Sequence, residues 1–393
     1  MADVFRVFLR LGLTSFGGPI AHLGFFRHEF VERREWVSPD DYAAIVSICQ
    51  TLPGPTSSQV GLMIGRRMAG LPGALAAWSG FTMPSVVALT IAALGLARFD
   101  AAVIDRALDG LMVVAVAVVA LAVRDMGRTA WTDRNRATLG ILAATILLIW
   151  SSPVVQVVVI TLGLVVGLAA WRWGRPEGTG TPAPANRIRG RVPRSAIACL
   201  TAFGALLVLL PPLAAATGWR PLELVAGFYR SGSLVFGGGH VVLPLLEQLV
   251  VPSGWVSPDD VAVGYGLAQA VPGPLFTYAS YLGAATGGPG LAGIGLALLA
   301  TGAIFLPSFL LVFGVAPFQD RLRSRAALAG LAGVNAVVVG VLLAALYDPI
   351  WRSAIHEPGD VALLLVAVAA LHWWRLPAWV VVLGGAAAGA IFG

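Results

Sequence analysis

Two short stretches of this chain combine a polar side chain with a backbone that cannot stay helical. Gln50 stands three residues before Pro53, Gly54 and Pro55, and Gln269 stands three before Pro272, Gly273 and Pro274. Each proline removes a backbone donor and each glycine loosens the chain, so a helix running through an apolar segment must break here. In lipid such a break persists only where protein or a water-filled cavity satisfies the freed groups, and the pattern therefore points to a binding site. Thr56, Ser57, Ser58 and Gln59 follow the first break and Thr277 the second. Their hydroxyls and amides could donate to an anion, or bond from helix to helix as such residues do in membranes. The paired glycines of "FGG", at Phe16, Gly17 and Gly18 and again at Phe236, Gly237 and Gly238, would let backbone amides approach a ligand. Six residues before each phenylalanine lies an arginine, Arg10 and Arg230. A guanidinium inside a bilayer is costly unless paired or wetted, and its fork suits a tetrahedral oxyanion; the competing reading is a side chain that snorkels to the headgroups. His22 and His240, beside the glycine turns, and Asp109 could each carry a proton or serve as a satisfied polar group or cap.

The elements that must position these residues are membrane helices. Of the residues, 58% are hydrophobic and 12% charged, with a mean hydropathy of +0.83, far above that of a soluble domain. Apolar runs near 20 residues recur and none alternates like a barrel strand, so the expected fold is an all-α polytopic membrane protein. The opening ten residues contain Arg6 and Arg10 and lack a small-residue cleavage pattern, so they read as mature chain. Cys49 and Cys199 read as free, buried thiols. All 26 basic residues are arginines, most of them in short loops, which is a pattern of orientation in the membrane and not of nucleic-acid binding.

The hexapeptide "WVSPDD" occurs at Trp36–Asp41 and again at Trp255–Asp260. It reads as a helix start at the membrane surface: Ser38 and Ser257 cap, Pro39 and Pro258 open the helix, and Asp40, Asp41, Asp259 and Asp260 sit beside its positive end. A substrate or gating role for the aspartates is the rival reading. Around this anchor "RLGLTSFGG" answers "RSGSLVFGG", "QTLPGP" answers "QAVPGP", and "FTMPS" answers "FLPS". The chain is therefore expected to hold a first repeat over 1–171, a basic linker and connecting helix over 172–216, and a second repeat over 217–393.

Loops of the first copy carry Arg27, Arg33, Arg34, Arg66 and Arg67, whereas the matching loops of the second carry no basic residue. The positive-inside rule then puts the two copies in opposite orientations, as inverted repeats. The count works if the "FGG" and "PGP" segments enter and return on one side as re-entrant or broken helices, with crossings near 72–97, 104–124, 137–150, 153–171, 196–216, 290–316, 326–347, 360–374 and 377–392. Inverted-repeat transporters place broken helices from both halves at the midplane, with helix N-termini aimed at anions. No Walker, HExxH or GxSxG pattern and no Cys/His cluster is present, so no enzyme activity, cofactor or metal is expected and secondary transport remains.

With "FGGP" at Phe16–Pro19, "WVSPDD", "QTLPGP", "MPS" and their second copies in order, the sequence resembles the chromate ion transporter family in its long form of two fused halves. The resemblance implies a multi-pass protein of the cytoplasmic (inner) membrane that exports chromate and confers resistance to it. The second copy has "FGGGH" where the first has "FGGPI", so Pro19 and Gly239, at matching positions, differ in residue type. Sulfate or another tetrahedral oxyanion is the alternative cargo, and a non-transporting membrane scaffold the rival from another class. The expected partners are the oxyanion and the lipid bilayer, with no nucleic acid; a homodimer is compatible with the chain.

Overall fold

The computed structural model describes residues 1–15, 18–96, 101–150, 153–173, 193–235, 242–318 and 325–392. Every regular element among them is helical. Phe16, Gly17, residues 236–241, which include Phe236, Gly237, Gly238 and His240, and most of the expected linker lie outside the described residues.

The first half opens with short helices: α1 (Ala2–Thr14), α2 (Gly18–Arg27), a π-helical turn (His28–Arg33) and α3 (Pro39–Thr51). Then comes α4 (Thr56–Leu96), bent where Ala69 and Gly70 leave helical geometry. The second half repeats the plan with α9 (Arg220–Leu234), α10 (Val242–Val250), α11 (Pro258–Ala270), a 3₁₀ turn (Leu275–Thr277), α12 (Tyr278–Gly287) and α13 (Leu291–Val315). Gly288 and Gly290, both at positive φ, mark the bend that Gly70 marks in the first half. A helix of 13 residues, as in α1, α3 and α11, rises only about 20 Å, well short of a ~30 Å hydrocarbon core.

The longer helices are the part of α4 beyond its bend, α5 (Ala101–Ala130), α6 (Arg134–Ile149), α7 (Pro153–Trp173), α8 (Arg194–Thr217), α13, α14 (Arg325–Ala345), α15 (Pro358–His372) and α16 (Ala378–Phe392). All nine expected crossings fall on them, though α5 runs further in both directions than the sequence suggests. Five helical stretches, in α4, α5, α8, α13 and α14 with its continuation, are long and apolar enough to cross a membrane. Helix α8 is almost wholly uncovered, with Val208 and Leu209 more than half exposed, a surface that lipid suits and water does not. The molecule is an all-α polytopic membrane protein. Cys49 is buried, whereas Cys199, on α8, is only half-buried.

The two halves interlock. Helix α5 packs on α15 and α16 of the other half, and α14 packs on α6 and α7 of the first. Glycines set these contacts, as expected where lipid removes any hydrophobic drive between helices. A methyl group on Gly110 would strike the Gly385 carbonyl, one on Gly333 the Gly163 carbonyl, and one on Gly340 the Gly140 carbonyl. The Trp131 indole, just after α5, donates to the Ala336 carbonyl of α14 at 2.9 Å.

At the "WVSPDD" surfaces the Ser38 hydroxyl accepts from the Asp41 amide at 3.2 Å and the Ser257 hydroxyl from the Asp260 amide at 3.1 Å. Asp41 also pairs with Arg67 of α4 at 2.7 Å, and the Arg67 and Ser38 contacts hold its carboxyl below the usual range. Upstream, the π turn is tied by Glu29, which takes Arg33 at 2.9 Å and Arg34 at 2.6 Å. Burial works to raise the Glu29 carboxyl, but hydrogen bonds from Arg34 and Arg33 outweigh it and bring it below its ordinary value.

Gly333→Leu is expected to destabilise the α7–α14 crossing by about 2 kcal/mol or more, read as earlier thermal unfolding of the protein in detergent. Glu29→Gln is expected to cost about 1–2 kcal/mol at neutral pH. Because a depressed carboxylate contributes its stability above its unfolded value and loses it as pH falls through its folded value, the gap between Glu29→Gln and wild type should close below about pH 4. A penalty unchanged at acid pH would refute the ion-pair account.

Candidate functional site

The two "PGP" breaks share one backbone shape. Leu52 and Val271 leave α3 and α11 in extended conformation, and Gly54 and Gly273 both take φ 110°, which favours glycine. The Gly54 amide donates to the Val235 carbonyl at 2.6 Å, and the Gly273 amide donates to the Ser15 carbonyl at 3.0 Å. Ser15 and Val235 are the residues immediately before the two "FGG" phenylalanines, so each break is stitched to the other half.

The serines of the repeated "PS" complete the exchange. Ser85 of the first half donates to the Pro272 carbonyl at 2.5 Å. Ser308 of the second lies 3.3 Å from the Gln59 amide nitrogen, which also donates to the Pro53 carbonyl at 2.6 Å. Two further carbonyls find partners: Pro55 receives the Gln59 backbone amide at 3.0 Å, and Pro274 the Thr277 hydroxyl at 2.7 Å. A methyl group on Gly54 would press on the Ser308 hydroxyl, and one on Gly273 would occupy the place of the Ser85 hydroxyl.

The frame is symmetric, but the side chains on it are not. In the first half Ser15, His22, Ser57, Ser58, Gln59 and Thr82 are buried around the crossing. The positions in register with Ser15, His22, Ser57 and Gln59 in the second half hold Val235, Val242, Phe276 and Tyr278. His22 faces the Ser15 carbonyl through Nε2 at 3.1 Å, so that nitrogen carries hydrogen; its Nδ1, 3.3 Å from the Ser57 oxygen, then accepts the serine hydrogen in the neutral ring. The Ser15 carbonyl thus gathers the amide of Gly273 and the imidazole of His22. Among the described residues the hydroxyls of Ser15, Ser58 and Thr82 and the Gln59 side-chain oxygen are buried without a hydrogen-bond partner. Buried orphans of this kind call for an explanation, and a ligand with complementary atoms is one.

A family model described as chromate transporter matches residues 2–168 and again 222–390. The chain belongs to the chromate transporter family. Among curated relatives, the chromate transport protein of Pseudomonas aeruginosa is 27% identical over 98% of this chain and 91% of its own length. That of Cupriavidus metallidurans is 26% identical over the same shares, and a probable chromate transport protein of Synechococcus elongatus is 26% identical over 98% of this chain and 94% of its own. No solved structure matches the chain.

Within this chromate transporter fold the residues expected from sequence lie at different depths. Pro53, Gly54, Pro55, Gly273, Pro274, Ser57 and Thr277 are buried at the crossing, and Thr56 and Pro272 are half-buried there. Gly18 opens α2 at φ 76°. Gln269 is buried and bonded to Tyr265, whereas Gln50 is exposed. Arg10 is exposed on α1 and Arg230 half-buried on α9, and among the described residues neither forms an ion pair. Sequence reasoning passed over Ser15 and Thr82, and took Ser85 and Ser308 only as markers of the repeat. The available signal was a serine kept in both copies inside an otherwise apolar helix.

Ser85→Ala should lower stability by about 1 kcal/mol, through the orphaned Pro272 carbonyl. Gly273→Ala, strained in φ and overfilled, should cost about 2 kcal/mol or more. Unfolding monitored by size-exclusion fluorescence after heating ranks the two; equal and negligible losses would overturn the stitched-break reading.

Proposed function

We propose that this protein exports chromate across the cytoplasmic membrane by alternating access, as a secondary transporter and not an enzyme, and so confers chromate resistance. The observation that carries the proposal is the crossing itself: two broken helices stitched to opposite halves, with buried hydroxyls on one side that have no partner. Hydroxyls of Ser15, Ser58 and Thr82 and the helix start at Thr56 would donate to a tetrahedral dianion. Arg10 and Arg230 would draw it in from the approaches. The arginine-bearing loops of the first half against the bare ones of the second favour inverted repeats, which rock about the crossing. The family match and the named relatives support chromate as cargo.

Energy for export need not come from ATP. Moving one charge through 100 mV is worth about 2.3 kcal/mol, so a dianion leaving an inside-negative cell gains about 4.6 kcal/mol on that scale. Sulfate has the same shape and charge, and a set of hydroxyl and amide donors need not separate the two.

The test is uptake of labelled chromate into everted vesicles under an imposed potential, with sulfate as competitor. Wild type should accumulate chromate; the double variant Ser58→Ala/Thr82→Val should lose about tenfold in transport efficiency while reaching the membrane normally, the worth of one or two hydrogen bonds to an anion. Arg10→Ala and Arg230→Ala should each slow uptake. Sulfate flux equal to chromate flux would make sulfate the cargo, and no flux of either would leave a scaffold as the better reading.

A further inference from the structure

Helix α10 carries one carboxylate, Glu247, two turns back from the second "WVSPDD" surface. Its position in the repeat is that of Arg27 in the first half, which is exposed and 3.6 Å from Glu32. Glu247 instead lines a small pocket with Met112 and Ala115 of α5, Leu243 of its own helix, Tyr265 of α11 and Ile350 of the π-helical turn Leu346–Trp351. Pro258, the exposed first residue of α11, lines the same pocket as the carboxylate.

No arginine forms an ion pair with Glu247 among the described residues. The charged group that acts on it is another acid, Asp348 of the π turn, which already holds Arg352 at 3.3 Å. The other titratable groups facing it are the phenols of Tyr278 on α12 and Tyr265 on α11. Helix α5 offers the pocket Met112 and Ala115. A negative charge on Glu247 would therefore face apolar walls and a like charge, and a proton removes both penalties. Asp348 sits where α14 gives way to a π turn at Pro349, with non-helical φ −129° and ψ 110°. Such turns recur at functional sites because they can repack.

We propose that Glu247 is a proton-exchange site that couples inward proton movement to outward oxyanion movement, with Asp348 as the charged neighbour that sets its exchange. The carboxyl takes a proton from the pocket that Pro258 also lines and releases it when the halves rock and the π turn withdraws Asp348. The proposal rests on the transport reading above, and it makes a proton gradient a second driving force beside the potential.

Two measurements separate the two readings. In the first, purified protein in lipid at neutral pH is treated with a hydrophobic carbodiimide, which reacts with protonated carboxyls, and is mapped by mass spectrometry; this needs no transport. Glu247 should be labelled, more so at pH 6 than at pH 8, and Asp348→Asn should shift that dependence. In the second, chromate uptake into everted vesicles is driven either by a potential at equal pH or by a pH gradient at zero potential. Glu247→Gln should keep potential-driven uptake within about twofold of wild type and lose the gradient-driven part by about tenfold, while Glu247→Asp restores part of it. Potential-driven chromate uptake with no response to the gradient in wild type, or an equal response in Glu247→Gln, overturns the coupling while leaving transport standing. An unlabelled Glu247 overturns the exchange site whatever the fluxes show.

Discussion

In a bilayer a broken helix is stable only if its freed amides and carbonyls find partners within the protein, since each orphan costs several kcal/mol and no water is at hand. Here the partners lie across the molecule. The Gly54 and Gly273 amides reach carbonyls at the ends of α9 and α1, and the Pro272 carbonyl takes the hydroxyl of Ser85. Each break is satisfied partly within its own half, at the Pro53, Pro55 and Pro274 carbonyls, and partly by the other half, so an isolated half would leave the glycine amide of its break without its partner. The interlocking of α5 with α15 and α16, and of α14 with α6 and α7, is what brings the halves over one another to make those bonds. Glycines at the crossings then follow from the short distance the backbones must keep.

A frame fixed by backbone atoms leaves side chains free to diverge. In the second half, apolar and aromatic groups fill the crossing: Phe276 meets Phe305 and Tyr278 meets Tyr265 edge-on. That packing contributes burial and stiffness. In the first half the same places hold hydroxyls, an amide and His22, and their polarity is only partly consumed by bonds within the protein. The two repeats thus divide the labour, one supplying a packed abutment and the other a polar lining.

Much of this was legible in the sequence because the determining signals are local. Proline and glycine pairs mark breaks, apolar runs mark long helices, and Ser-Pro-Asp marks a helix start, so α3, α11 and helices at the nine expected crossings lie where the sequence puts them, five of these stretches being long and apolar enough to cross a membrane. The limb from Thr56 and the following crossing form one bent helix, α4, because Gly70 permits the turn without ending the helix. The crossing expected to 347 gives way at Leu346, where Asp348 and Pro349 interrupt it. What the sequence does not disclose is pairing across the halves: nothing near Ser85 announces Pro272, which is 187 residues away. Ser15, next to Thr14, and Thr82, between Ser79 and Ser85, carry no spacing that distinguishes them from their hydroxyl neighbours. Arg10 shows the opposite case, a residue whose symmetry with Arg230 suggested the centre of the site and whose side chain is exposed on α1.

The placement of charge follows a consistent physical logic. A dianion bound tightly between buried guanidiniums would be released slowly, whereas conduction needs binding strong enough to admit the ion and weak enough to free it. Hydroxyls and helix N-termini offer partial charges of that kind, already oriented by the stitched frame. Full charges stand further out: Arg10 on an exposed face, and Arg66 and Arg67 at the bend of α4, with Arg66 covering the Phe313 ring at 5.0 Å. On the proposed transport reading, arginines at the approaches would raise the local concentration of an anion without fixing it at the centre. The potential can then do work on a cargo that keeps its own charge, and this favours a crossing whose described lining is neutral.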